Sequence, residues 1–152
     1  MQKTRRHGIL SKTICLALII MTVASLGLMS AGAAGNIRDE NYTFDFFYGS
    51  EVYTTRREKL DYTSSYMKCT GAQTPGNSYK ARVMGSSSQT SARIDCSNGG
   101  AYERTFFTGS TVYVPNLVKE KSLNYACIRG NWTRGGGLSG NKFYGVWSPD
   151  SV

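Results

Sequence analysis

The chain has one histidine, His7, in an amino-terminal segment that reads as a removable leader. The mature protein is therefore expected to lack imidazole, which excludes Ser-His and Cys-His nucleophiles and removes the commonest metal ligand. C-x-x-C and zinc-ligand spacings are also missing, so neither a metal nor a small-molecule cofactor is expected. The mature part carries no convincing helical pattern. Net positive charge is small once the leader is set aside. Four of the 18 basic residues, Lys3, Arg5, Arg6 and Lys12, lie there with none of the 10 acidic ones, which leaves 14 against 10, a balance of +4 in place of +8. That surplus gives no reason to expect a nucleic-acid partner.

The leader has three parts. Met1-Gln2-Lys3-Thr4-Arg5-Arg6 is basic, Ile14 to Met29 is an uncharged apolar run, and Ser30-Ala31-Gly32-Ala33-Ala34 supplies the A-x-A pattern of a signal-peptidase site. The expected organisation is a signal peptide over 1–33 and one secreted domain over 34–152. A retained anchor is the competing reading, because the run is only a little short of the roughly 20 residues that span a bilayer. The basic start holds the amino end inside under either reading, so the remainder is exported in both. So apolar a core suits the general secretory route better than a twin-arginine one.

Short runs rich in Tyr, Phe, Val and Thr recur between clusters of Gly, Ser, Asn and Pro. That pattern predicts an all-β fold, an antiparallel β-sandwich of about eight short strands. In Asn41 to Tyr48, strict alternation puts Tyr42, Phe44, Phe46 and Tyr48 on one face, with Thr43, Asp45 and Phe47 opposite. Tyr79 to Met84 alternates Tyr79, Ala81 and Val83 against Lys80, Arg82 and Met84. Further strands are read at Tyr53 to Arg57, Tyr62 to Thr70, Ala92 to Cys96, Tyr102 to Phe107 and Thr111 to Val114. Pro75-Gly76 and Asn98-Gly99 are turn signals, and Gly85 to Thr90 reads as a solvated loop. Leu123 to Trp132 and Phe143 to Trp147 read as a final hairpin, joined by the glycine-rich stretch from Thr133 to Gly140.

Two catalytic motifs match by chance. Gly135, Gly137 and Gly140 satisfy G-x-G-x-x-G, but a strand follows them where a dinucleotide site needs a helix. Ser65-Tyr66-Met67-Lys68 matches S-x-x-K, yet inside a strand its serine and lysine fall on opposite faces. The ten carboxylates are scattered, which leaves a His-free hydrolase using two of them as a third-ranked possibility.

Three cysteines remain outside the leader, in a compartment that oxidises thiols. If the strands ending at Cys69, beginning near Tyr79 and ending at Cys96 run up, down and up, Cys69 and Cys96 arrive at one end and form a disulfide. That requires the chain to cross between sheets there. Cys127 is left over. All 18 aromatic residues lie in the mature part. Trp132, Arg134, Tyr144 and Trp147, gathered by the last hairpin, form the best candidate platform for sugar rings or a protein surface. The competing reading has both tryptophans capping the core from within.

The stretches Ser122-Leu123-Asn124-Tyr125, Phe143 through Ser151 and Phe46-Phe47-Tyr48-Gly49-Ser50 resemble a family of small secreted proteins of Gram-positive bacteria with unassigned function. They are more distantly similar to the β-sandwich lactococcin bacteriocins. The resemblance implies an antiparallel sandwich and transfers no catalytic residue. The expected activity is accordingly non-enzymatic: binding to a polymer or surface protein of the cell envelope, bacteriocin-like in the first reading and as a wall-carbohydrate module in the second. Mass spectrometry of the culture medium should find a mature amino terminus at Ala34 or Gly35; recovery of only the full-length chain, in membranes, would replace the signal with an anchor.

Overall fold

A computed structural model describes residues 35–47, 51–132 and 140–152. The leader lies outside these residues. Ten strands form in chain order: β1 (Glu40–Asp45), β2 (Glu51–Tyr53), β3 (Arg57–Glu58), β4 (Ser65–Ala72), β5 (Ser78–Ser86), β6 (Ile94–Asp95), β7 (Arg104–Phe107), β8 (Thr111–Val114), β9 (Tyr125–Asn131) and β10 (Lys142–Ser148). Among the described residues there is no helix, and every strand pairing is antiparallel. The expected all-β antiparallel sandwich is what forms.

The first sheet runs β1-β10-β4-β8, and the second is built on β2-β9-β5-β6. In the second, β2 and β3 pair with different lengths of β9, while β6 and β7 pair with different lengths of β5. Thr54 closes the gap between β2 and β3. Its backbone N–H donates to the Ile128 carbonyl at 3.0 Å, and its hydroxyl accepts the Ile128 N–H at 2.9 Å, so the side chain stands in for a missing ladder position.

The core lies between the sheets, where period-two alternation sends each apolar face. From the first sheet come Tyr42, Phe44, Met67, Val114, Phe143 and Trp147; from the second come Tyr79, Ala81, Val83, Phe106, Ala126 and Ile128. Phe46, one residue past β1, is buried with them, and Phe47 opposite it is exposed, as the alternation requires. Phe44 packs on Gly130, where a Cβ would stand 2.7 Å from its ring. The Tyr42 and Tyr79 hydroxyls meet at 2.6 Å inside the core, which satisfies both polar ends. Burial pushes both phenols above their ordinary range.

Turn chemistry follows the signals read in the sequence. Gly76, after Pro75, has φ 79°, and Asn98 and Gly99 have φ 52° and 63°, the left-handed region that Gly and Asn enter readily. The serine tract begins later than its composition indicates, because β5 continues through Gly85 to a buried Ser86.

Two expectations are corrected. The predicted final hairpin does not form, since β9 lies in the second sheet and β10 in the first. Both strands present an apolar face, and those faces meet across the core rather than lie side by side; a long glycine-rich connection imposes no hairpin register.

The second correction concerns the cysteines. Cys69, Cys96 and Cys127 are free thiols, all buried. The chain does cross between sheets from β4 to β5, as a bridge required. However, Cys69 sits beside the hydroxyls of Tyr42 and Tyr79, while Cys96 Sγ packs over Gly85 with Leu123 and Val118. Tyr79 and Gly85 are six residues apart on β5, roughly 20 Å, whereas a disulfide needs Cα atoms within about 7 Å. Cys127 pairs with Met84 on the outward side of β9 and is covered there by Arg93. Burial pushes all three thiols up, that of Cys96 to about 11. The native mature protein should therefore react slowly with a thiol reagent and yield three equivalents in denaturant without reductant; one equivalent would mean that a bridge had formed.

Candidate functional site

Strand alternation gives the outer faces of the two sheets different chemistry. On the second sheet, Lys80 and Arg82 point outward and are neutralised in place: Lys80 pairs with Glu103 at 3.6 Å, and Arg82 with Asp95 at 3.2 Å and Glu103 at 3.8 Å. Arg129 pairs with Glu51, and the Arg93 guanidinium lies 4.3 Å over the Tyr53 ring. Few of these polar groups are left to hold a ligand.

The outer face of the first sheet is built differently. Because Ser65, Met67 and Cys69 face inward, Tyr66 and Lys68 face outward on β4. Tyr66 stands directly opposite Tyr113 of β8 and Ser148 of β10, and the two rings are 5.7 Å apart. Along β10 the same face carries Val146, beside Lys68, and then Tyr144, which lies over Gly71. Tyr144 lies four positions before Ser148, so aromatic rings stand at two stations roughly 13 Å apart. Tyr113 and Tyr144 are 53% and 41% exposed. Thr43 and Asn41 complete the polar surround. A shallow pocket of about 190 Å³ opens beside Tyr66 and Tyr113, bordered by Ile37, Asp39, Ser148 and Val152.

Beneath that pocket lies a second arrangement. Lys59 and Asp150 are fully buried, and the Lys59 Nζ donates to Asp150 Oδ1 at 2.6 Å and to the Pro149 carbonyl at 2.7 Å. Asp150 Oδ2 accepts the backbone N–H groups of Asn36 at 2.6 Å and Leu60 at 3.0 Å. Asp61 Oδ1 lies 3.6 Å from the same Nζ. Partial burial works against the Asp61 carboxylate, but donors from Thr63, with Asp150 and Lys59 beside it, hold its pKa below the usual carboxylate range. Gly35 closes over the group, and a Cβ there would meet Asp61 Oδ2 at 2.5 Å and Asp150 Cβ at 2.9 Å. Among the described residues, no three His, Cys, Asp or Glu side chains converge in a metal-binding geometry.

The family model described as "Protein of unknown function (DUF2712)" matches residues 29–151, nearly the whole domain. The chain belongs to that family. No curated protein and no solved structure matches it.

Of the four residues expected to form an aromatic platform, the three described ones, Trp132, Tyr144 and Trp147, are not brought together in this DUF2712 chain. Trp147 is fully buried, with the Arg57 guanidinium 5.7 Å over its ring. Trp132 is half-buried, its ring 5.5 Å from both Phe46 and Phe143, so it closes the core. Tyr144 faces outward on the opposite side of β10 from Trp147, and Arg134 lies outside the described residues. Alternation sets Tyr144 and Trp147 on opposite sides of β10, and Trp132 follows β9, which pairs in the other sheet.

Tyr66 and Tyr113 were missed, although a signal existed: both stand on the polar side of an alternating strand, where an aromatic ring has no core to fill. Lys59 and Asp150 carried no signal, being 91 residues apart and of types that are almost never buried unless paired. Trp147→Ala should lower unfolding free energy by about 3–5 kcal/mol. Tyr144→Ala should stay within about 0.5 kcal/mol. Urea unfolding of the two variants tests this assignment of core and surface.

Proposed function

We propose that this chain is a secreted, non-catalytic binding protein that attaches to a polymer of the cell envelope through the outer face of its first sheet. The observation that carries the reading is the Tyr66–Tyr113 pair with Tyr144 farther along the same face, set among hydroxyl and amide groups. A phenol ring presents an apolar face to the carbon side of a sugar ring while its hydroxyl stays wet. Two such stations on a rigid sheet favour an extended ligand over a compact one, because each holds a separate length of it without loop ordering. Lys68, between the stations, adds attraction for anionic groups on that polymer.

The leader supports export, and the mild positive balance suits a polyanionic surface. The second sheet, where Lys80, Arg82 and Arg129 are paired with carboxylates, supports the choice of face. Purified mature protein should be retained on isolated cell-wall polymer, and Tyr66→Ala with Tyr113→Ala should weaken retention by about tenfold or more, as expected for loss of a buried aromatic contact. The unfolding midpoint of the double variant should stay near that of the wild type. Equal retention of wild type and variant, or none by the wild type, would overturn the reading.

A further inference from the structure

The contact between Lys59 and Asp150 is placed for more than an ion pair. An amine and a carboxyl group, both fully buried, meet at 2.6 Å with a second carboxylate, Asp61, 3.6 Å from the same nitrogen. We propose that Lys59 and Asp150 condense within the folded chain to an amide, with Asp61 relaying the proton, so that the mature protein carries a covalent link between the exit of β3 and the carboxy-terminal tail.

The steps balance without an oxidant or other co-reactant. Proton transfer from Lys59 Nζ to Asp150 Oδ1, across their hydrogen bond, converts the pair to a neutral amine and a neutral acid. The nitrogen lone pair attacks Asp150 Cγ and forms the Nζ–Cγ bond. Negative charge then develops on Oδ2, where the N–H groups of Asn36 and Leu60 already stand at 2.6 and 3.0 Å. Preorganised donors at that position act as an oxyanion hole. Asp61 takes the second proton from the nitrogen and passes it to the hydroxyl on Oδ1; the Cγ–Oδ1 bond breaks, and one water leaves.

Placement supplies the drive that condensation lacks in water. Oriented intramolecular pairs reach effective molarities of about 10⁵–10⁸ M. The Pro149 carbonyl, which accepts from the same nitrogen at 2.7 Å, fixes the direction of the amine. The backbone at Gly35, where a Cβ has no room, screens both carboxyls. The site is complete only once residues 35–36 and the tail have docked, so the reaction follows folding.

Intact-mass measurement of the purified mature protein tests the proposal. The wild type should be lighter than its sequence by one water, its digest should yield a branched peptide joining Lys59 to Asp150, and trypsin should not cleave after Lys59. Asp61→Asn keeps the site's size and should fold, as read by near-ultraviolet circular dichroism, while retaining the full sequence mass. A folded wild type at its full sequence mass would overturn the cross-link. A folded Asp61→Asn protein that still lost one water would overturn the relay through Asp61.

Discussion

Two opposite charges enclosed away from water hold three separate pieces of this chain together. Lys59 follows β3, Asp150 lies in the tail after β10, and Asn36 precedes β1; all three meet through the oxygens of one carboxylate. Taking such charges out of water is expensive, and removing one partner typically costs about 3–5 kcal/mol because the other is left buried and uncompensated. Arg57, two residues before Lys59, reinforces the joint by donating to the Arg38 carbonyl at 2.7 Å and to Asn36 Oδ1 at 2.8 Å while paired with Glu40 at 3.3 Å. The edge of the second sheet is thereby tied to the start of β1 and the end of β10, which lie side by side in the first.

This joint also shapes the surface above it. The tail residues that return from Asp150 border the pocket beside Tyr66 and Tyr113, together with Ile37 and Asp39 of the tied amino-terminal segment. One end of the tyrosine face is thus framed by chain that the ion pair fixes, which would limit the ordering needed for the proposed ligand. Among the described residues the one ion pair between strands on that face, Lys142 with Asp45 at 3.0 Å, lies beyond Tyr144, whereas Lys80, Arg82 and Arg129 are paired on the outer side of the second sheet.

The core settles where the two sheets sit. Phe44 is the wedge: its ring lies 4.7 Å from Tyr42, 5.4 Å from Tyr79 in an edge-on arrangement, and against Gly130 of the opposite sheet. Rings in such tilted and edge-on contacts interlock more specifically than aliphatic side chains. Trp132 and Phe143 extend the cluster, which is why a tryptophan that composition offers as a surface anchor is spent on packing.

Much of this fold was legible in the sequence. Alternation in β1 and β5 assigned inner and outer faces correctly, because a strand's side chains must point alternately whatever it pairs with. The Pro75-Gly76 and Asn98-Gly99 turns were legible for the same local reason, since few residues other than Gly and Asn accept positive φ. Tertiary structure alone decided which strands pair. β9 and β10 are neighbours in sequence yet belong to different sheets, which separated Trp132 from the β10 residues, while alternation along β10 set Tyr144 and Trp147 on opposite sides. Tertiary structure also decided the fate of the thiols, through six residues of β5 between the neighbours of Cys69 and of Cys96. The encounter of Lys59 with Asp150 belongs to the same class, because local pattern says which way a side chain points, whereas the packing of distant segments says what it meets.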